Sequence, residues 1–259
     1  MEINSELEFP EMVALGEGCK SWVQFADDHA FEVSFSESAP MPSCTNFQLT
    51  FEGKTYTMKQ LHFHTPSEHA FGGGLAAAEV HMVHKSDDGS LLVVGVMLEE
   101  MDILKGMGHI SLGNELLNKF WEQSYTQGKA HNYVVEDDEN LGETSRFEIE
   151  VEVEEPLNVY AMIMPSSKAF YTYSGSLTTY PCTQGVTWIL MKDPAYVSIS
   201  DVHKLTKGAE TTSYSIVSKS GGASNRPLQP VNSRVISYYP GVEAAAHDDG
   251  GHGSTDDAL

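Results

Sequence analysis

Three short stretches hold residues able to act together chemically: Gln60-Leu61-His62-Phe63-His64, Glu68-His69 and Ala78-Glu79-Val80-His81. Side chains on a β-strand alternate between its faces. His62 and His64 therefore share a face, and Glu79 and His81 share one on a second strand. If the two strands are neighbours, three imidazoles meet at one point. Three histidines with a fourth position left to water make the open type of zinc site. Gln60 and Glu79 fall where each can accept the ring N–H that a ligating histidine turns away from the metal, fixing its tautomer and orientation.

A lone His-x-His is a weak signal, since surface and core histidines account for most such pairs. Here a third histidine, an amide and a carboxylate agree with it in face and register. His69 and His84 stand apart from the ligand set, and His84, on the opposite face from His81, reads as a packing or hydrogen-bonding residue. A competing pattern, the cupin arrangement of His-x-His with a following glutamate, fits His62, His64 and Glu68. It lacks the flanking glycines and the later Pro-x-Gly-x-x-His, and survives only as a minor alternative.

The elements that must position these residues are mostly strands. Short β-rich runs recur at 22–25, 31–35, 47–51, 61–64, 79–84, 91–98, 147–153, 186–191 and 235–239, parted by turn pairs such as Glu52-Gly53 and Asp88-Gly89. Helical spacing of Leu116, Leu117 and Phe120 predicts a helix over 112–125, and Ser200 is placed to cap a second, shorter one. Residues 136–155 are densely acidic and read as an exposed excursion or a charged edge hairpin. The final stretch, 244–259, has no apolar pattern and is expected to be a disordered tail, with His247 and His252 exposed in it. One domain is expected over 1–243.

The 259 residues carry 37 Asp and Glu against 15 Lys and Arg, a formal charge of −22. Such a surface repels nucleic acid and anionic lipid, so neither is expected as a partner. No apolar run approaches the roughly 18 residues of a membrane span, and the opening residues lack the pattern of a signal peptide. Cys19, Cys44 and Cys182 are too few and scattered for a cysteine-rich metal site.

Around the histidines the chain resembles the α-class carbonic anhydrases. Residues 60–69 and 77–84 look like that family's metal-binding strands, 173–188 like its substrate-pocket signature, 225–230 (Asn-Arg-Pro-Leu-Gln-Pro) like its C-terminal motif, and 29–35 like its proton-shuttle strand. The motifs occur in the family's order from about residue 8 to 239. The resemblance implies a mainly β, single-domain fold around a large, twisted, mostly antiparallel sheet, with zinc held by His62, His64 and His81. It implies that Thr178 accepts a hydrogen bond from zinc-bound hydroxide and passes one to Glu68, that Thr179 lines the polar wall, and that His29 shuttles protons. Val83, Val93, Leu177, Val186 and Trp188 match the positions of an apolar CO2 pocket. The implied reaction is reversible hydration of CO2 to bicarbonate and a proton, with ester hydrolysis as a side activity and sulfonamides or anions as inhibitors. The alternative is a catalytically silent relative acting as a binding or structural module.

Departures carry expectations too. The family's N-terminal Gln-Ser-Pro-Ile-type segment is expected to be missing, and residues 136–155 to be an insertion. Tyr180 and Ser174 replace residues that are often proline. In secreted members the cysteine matching Cys182 pairs within that N-terminal segment; here a bridge to Cys19 or Cys44 stays open. The Thr-Thr-x-Pro-Cys signature implies a secreted or lumenal address. Glu32, beside the shuttle position, is expected to raise the pKa of His29 if its carboxylate is ionised and close. Glu32→Gln should therefore lower the apparent pKa of the proton-transfer step, and an unchanged pH–rate profile would remove that role.

Overall fold

The computed structural model describes residues 2–3, 7–14, 20–25, 31–34, 47–100, 129–135, 144–152, 159–198, 202–203, 205 and 223–241. Among them the strands are β1 (Glu2–Ile3), β2 (Glu11–Ala14), β3 (Lys20–Phe25), β4 (Phe31–Ser34), β5 (Phe47–Phe51), β6 (Lys54–His64), β7 (Ala70–Phe71), β8 (Gly74–Leu75), β9 (Ala78–Lys85), β10 (Leu91–Glu100), β11 (Lys129–Val135), β12 (Thr144–Glu152), β13 (Phe170–Ser176), β14 (Gln184–Met191), β15 (Ala195–Val197) and β16 (Ser237–Tyr239). A short helix, α1, spans Val159–Ile163.

All strands but β7 and β8 join one sheet, ordered β1-β16-β13-β14-β10-β9-β6-β4-β3-β12-β11, with β15 on β10 and the β2–β5 pair on β6. Most neighbours are antiparallel. Parallel pairing occurs between β10 and β14, β10 and β15, and β1 and β16. The expectation of a large, mostly antiparallel sheet holds, with these parallel pairs within it. The hairpin β11–β12 closes one end of the sheet, so residues 144–152 of the acidic stretch are built into strand pairing. The expected helix over 112–125, the capping Ser200, His29, Cys19, Cys44 and the tail lie outside the described residues. Helix α1 was not anticipated, because five residues containing a β-branched valine and isoleucine carry no helical period.

The central strands have two different faces, and a bulge decides which residues occupy each. On β6, Tyr56 and Met58 point into the main core, and so do Leu61 and Phe63. Strict alternation would place even-numbered Met58 and His62 on the same side. The pairing of β6 with β9 shifts register between Met58 and Gln60, and this extra residue reverses the parity. Gln60, His62 and His64 thereby leave the core face together. On β9, Ala78, Val80 and Met82 join the core, while Glu79, His81 and Val83 face the other way. Leu92, Val94, Val96 and Leu98 of β10 and Ile189 and Met191 of β14 complete the core layer, covered by Val159, Tyr160 and Ile163 of α1.

Among the described histidines, His84 is the one on the core face. It is fully buried, its Nε2 lies 2.8 Å from the Tyr160 hydroxyl, and the two rings stack at 5.9 Å. Burial pushes its pKa down to about 4, and backbone hydrogen bonding at Met82 and Leu92 offsets only part of that. The unfolded chain, with an ordinary histidine near 6.5, takes up this proton first as the pH falls. The folded state therefore loses stability as pH drops from about 6.5 towards 4, by on the order of 3 kcal/mol for this group. Denaturation of the parent and of His84→Phe should give a stability difference that changes across that window. A difference independent of pH would rule this contribution out.

Candidate metal centre

The register sets His62 opposite His81, and His64 opposite Glu79. The three histidines are all buried, and they present ligand nitrogens lying within 4.8 Å of one another. Each ring commits its other nitrogen to an acceptor. His62 Nδ1 meets Gln60 Oε1 at 2.6 Å, His64 Nδ1 meets the Ser224 carbonyl at 2.8 Å, and His81 Nε2 meets Glu79 Oε1 at 2.9 Å. A carbonyl, an ionised carboxylate and an amide oxygen only accept, so each ring must place its single neutral-form proton on that side.

The remaining nitrogens, His62 Nε2, His64 Nε2 and His81 Nδ1, then carry lone pairs turned towards a common point. His81 Nδ1 and His62 Nε2 stand 3.2 Å apart. Two such lone pairs repel unless a cation or a proton lies between them. Nitrogens on a tetrahedral zinc, with bonds of 2.0–2.1 Å, sit about 3.3 Å apart. Donor chemistry, tautomers and spacing all fit a metal ion taking three imidazoles.

Gln60 and Glu79 occupy the places the sequence assigned to them. The Ser224 carbonyl was not foreseen, since no side-chain type marks a backbone acceptor 160 residues away. It is brought in by a clamp: Ser224 N–H donates to the Thr65 carbonyl at 2.8 Å, and Thr65 N–H donates to Ser224 Oγ at 3.0 Å.

Glu79 is fully buried and accepts four hydrogen bonds. Oε1 takes those of His81 and of His69 Nδ1 (2.6 Å), and Oε2 takes the backbone N–H groups of Glu68 and His69, each at 2.9 Å. Burial by itself would raise this carboxyl, but the charges and hydrogen bonds of His69 and His81 hold it well below the usual carboxylate range. Burial likewise opposes the charge on His69, yet Glu79 prevails and raises its pKa. His69 Nε2 continues the network to the Tyr173 hydroxyl at 2.6 Å. His69, Glu79 and His81 also cluster closely enough to hold a cation. Their short mutual hydrogen bonds already engage those atoms.

Glu68 lies beside the three nitrogens, Oε2 being 3.5 Å from His64 Nε2 and 3.9 Å from His81 Nδ1. Its Oε1 accepts the Arg226 backbone N–H at 2.6 Å, whereas Oε2 is buried without a hydrogen bond. Thr178 and Glu68 line one cavity of about 100 Å³ with His69, Tyr173, Trp188 and Arg226. No hydrogen bond joins Thr178 to Glu68 in this structure. The Thr179 carbonyl accepts from Cys182 N–H at 2.7 Å, closing a tight turn. Cys182 carries no disulfide among the described residues.

The five apolar positions named from the sequence come together. Val93, Val186 and Trp188 form a second buried cluster, with Val83 and Leu177 packed against it. This cluster sits on the histidine face of the sheet, and the Trp188 ring lies 4.8 Å from that of His81. His29 is outside the described residues. Glu32, on β4, holds the register position opposite His62.

Comparison with known proteins agrees with this geometry. The model of the eukaryotic-type carbonic anhydrase family matches residues 4–240. A carbonic anhydrase of Neisseria gonorrhoeae is 28% identical over 209 residues, covering 80% of this chain and 63% of that protein. The chain thus spans less than two thirds of that relative. The solved structure of a hyperthermostable carbonic anhydrase from a hydrothermal vent chimney superposes with a TM-score of 0.63 at 29% identity, over 91% of this chain and 82% of that one. Dioscorin DB3L of Dioscorea polystachya, a relative not named for the anhydrase reaction, is 27% identical over 185 residues, or 71% of this chain and 55% of its own. The match over nearly the whole chain shows that it belongs to the eukaryotic-type (α) carbonic anhydrase family.

Proposed function

We propose that this protein is a zinc-dependent carbonic anhydrase, interconverting CO2 and bicarbonate. The observation that carries the reading is the convergence of three imidazole lone pairs beside a buried apolar cluster. Bound zinc supplies Lewis acidity and activates water near neutral pH. His62, His64 and His81 hold it, while Gln60, the Ser224 carbonyl and Glu79 keep their tautomers in place.

Val83, Val93, Leu177, Val186 and Trp188 form an apolar wall that suits CO2 and excludes water from it. Thr178 would accept a hydrogen bond from the attacking oxygen and donate one of its own to Glu68, so that a lone pair faces the carbon. The unbonded Glu68 Oε2 supports this, being free to accept from that hydroxyl. His29 would carry the released proton outwards, since an unperturbed histidine titrates near 6.5.

The likeness to a dioscorin supports a second reading, a catalytically silent module on the same fold. The complete set of three histidines with their acceptors weighs for the enzyme. Metal analysis with stopped-flow CO2 hydration separates the two. The parent should hold one zinc and hydrate CO2, and His81→Ala should lose both; stoichiometric zinc without hydration would favour the silent module. Thr178→Ala should keep its zinc and lose about 10²-fold or more in kcat/KM, the usual scale for a proton-positioning group. Undiminished hydration in that variant would exclude the Thr178–Glu68 role.

A further inference from the structure

We propose that His69, Tyr173 and Gly95 are positioning residues for the metal: they lock the Glu79 carboxylate so that it holds His81 in its metal-binding tautomer. The inference rests on the metal-centre reading above. Among the described residues the outer nitrogen of His81 bonds Glu79, at 2.9 Å, so the aim of His81 Nδ1 follows wherever that carboxylate points.

Three hydrogen bonds besides that of His81 hold the carboxylate, one of them from the Glu68 backbone N–H at 2.9 Å. His69 gives it two of its four hydrogen bonds, one from the ring Nδ1 at 2.6 Å and one from the backbone N–H at 2.9 Å. The ring could rotate about its own bonds, but its far nitrogen is tied to Tyr173 Oη at 2.6 Å. That tie holds whichever of the two carries the proton. The Tyr173 ring in turn lies parallel to Trp188, 6.2 Å away and tilted by only 6°. A hydrogen-bonded line thus runs from Tyr173 through His69 and Glu79 to His81.

Gly95 supplies the space. It pairs with His81 in the β9–β10 register. A Cβ added there would lie 2.9 Å from Glu79 Oε1, 3.2 Å from Leu190 Cδ1 and 3.5 Å from Trp188 Cζ3. The first distance is closer than a carbon and a carboxylate oxygen tolerate, and the oxygen it strikes is the one shared by His69 and His81. Gly95 therefore serves packing, leaving room for the carboxylate rather than for an unusual backbone angle.

The test measures the zinc dissociation constant of folded protein by competition with a chromophoric chelator, together with the visible absorption of the cobalt(II) form. His69→Leu, which deletes the side-chain donor, and Gly95→Ala, which displaces the carboxylate, should each weaken zinc by about 10–100-fold, the scale for partners that orient ligands. His69→Asn places an amide N–H near the lost Nδ1–H and should recover most of the affinity and the parental cobalt spectrum. Tyr173→Phe removes one oxygen and should weaken zinc by a few fold. A merely structural role would instead lower the metal-free thermal midpoint and leave zinc affinity and spectrum unchanged. Should His69→Leu not fold, Gly95→Ala and Tyr173→Phe decide the matter. Zinc affinities of those variants matching a zinc-binding parent would overturn this inference alone. A parent without stoichiometric zinc would overturn the metal reading and this inference with it.

Discussion

Three imidazoles can turn bare nitrogens to one point only if something else takes each ring's proton. That constraint organises the centre of this protein. An amide oxygen, a backbone carbonyl and a carboxylate take one ring each, at 2.6, 2.8 and 2.9 Å. Two acceptors lie on the same strand as their ligand, Gln60 on β6 and Glu79 on β9, and the third comes from a segment 160 residues on. Removing any of them would leave a buried polar atom unsatisfied and a ring free to choose the other tautomer.

The sheet is built to make those groups meet. A face holding Met58 and Phe63 would have no use for His62, and strict alternation would mix them. The irregularity between Met58 and Gln60 separates a hydrophobic face from a chemical one within a single strand. The same division continues on β9 and β10, where Val80 and Val94 enter the core while His81 and Val93 do not. Apolar residues thus appear on both faces for different ends. On one they form the layer that stabilises the fold by burial. On the other, a smaller cluster of Val93, Val186 and Trp188 adjoins the histidines.

The C-terminal segment ties this arrangement together. The clamp between Ser224 and Thr65 brings a carbonyl to His64, and two residues later the Arg226 N–H reaches Glu68. One short piece of chain therefore orients a ligand and a neighbouring carboxylate at once. Arg226 and the residues after it also line the cavity beside Thr178.

Much of this was legible in the order of residues. Period two placed His62 with His64 and Glu79 with His81, and residue chemistry marked Gln60 and Glu79 as acceptors, because both signals are local. Motif order identified the apolar set from Val83 to Trp188. The sequence could not say that β6 and β9 are neighbours in the register pairing His62 with His81, since pairing depends on contacts between separate strands. It did not mark the bulge, which appears only as a shift of one strand against another. Ser224 was invisible for a simpler reason: its contribution is a carbonyl, which every residue has. Gly95, His69 and Tyr173 gain their meaning from a carboxylate that only folding brings beside them. The amino-acid order by itself determined which groups can bind a metal; the tertiary structure decided which proton each of them gives up, because that depends on the acceptors that fold against it.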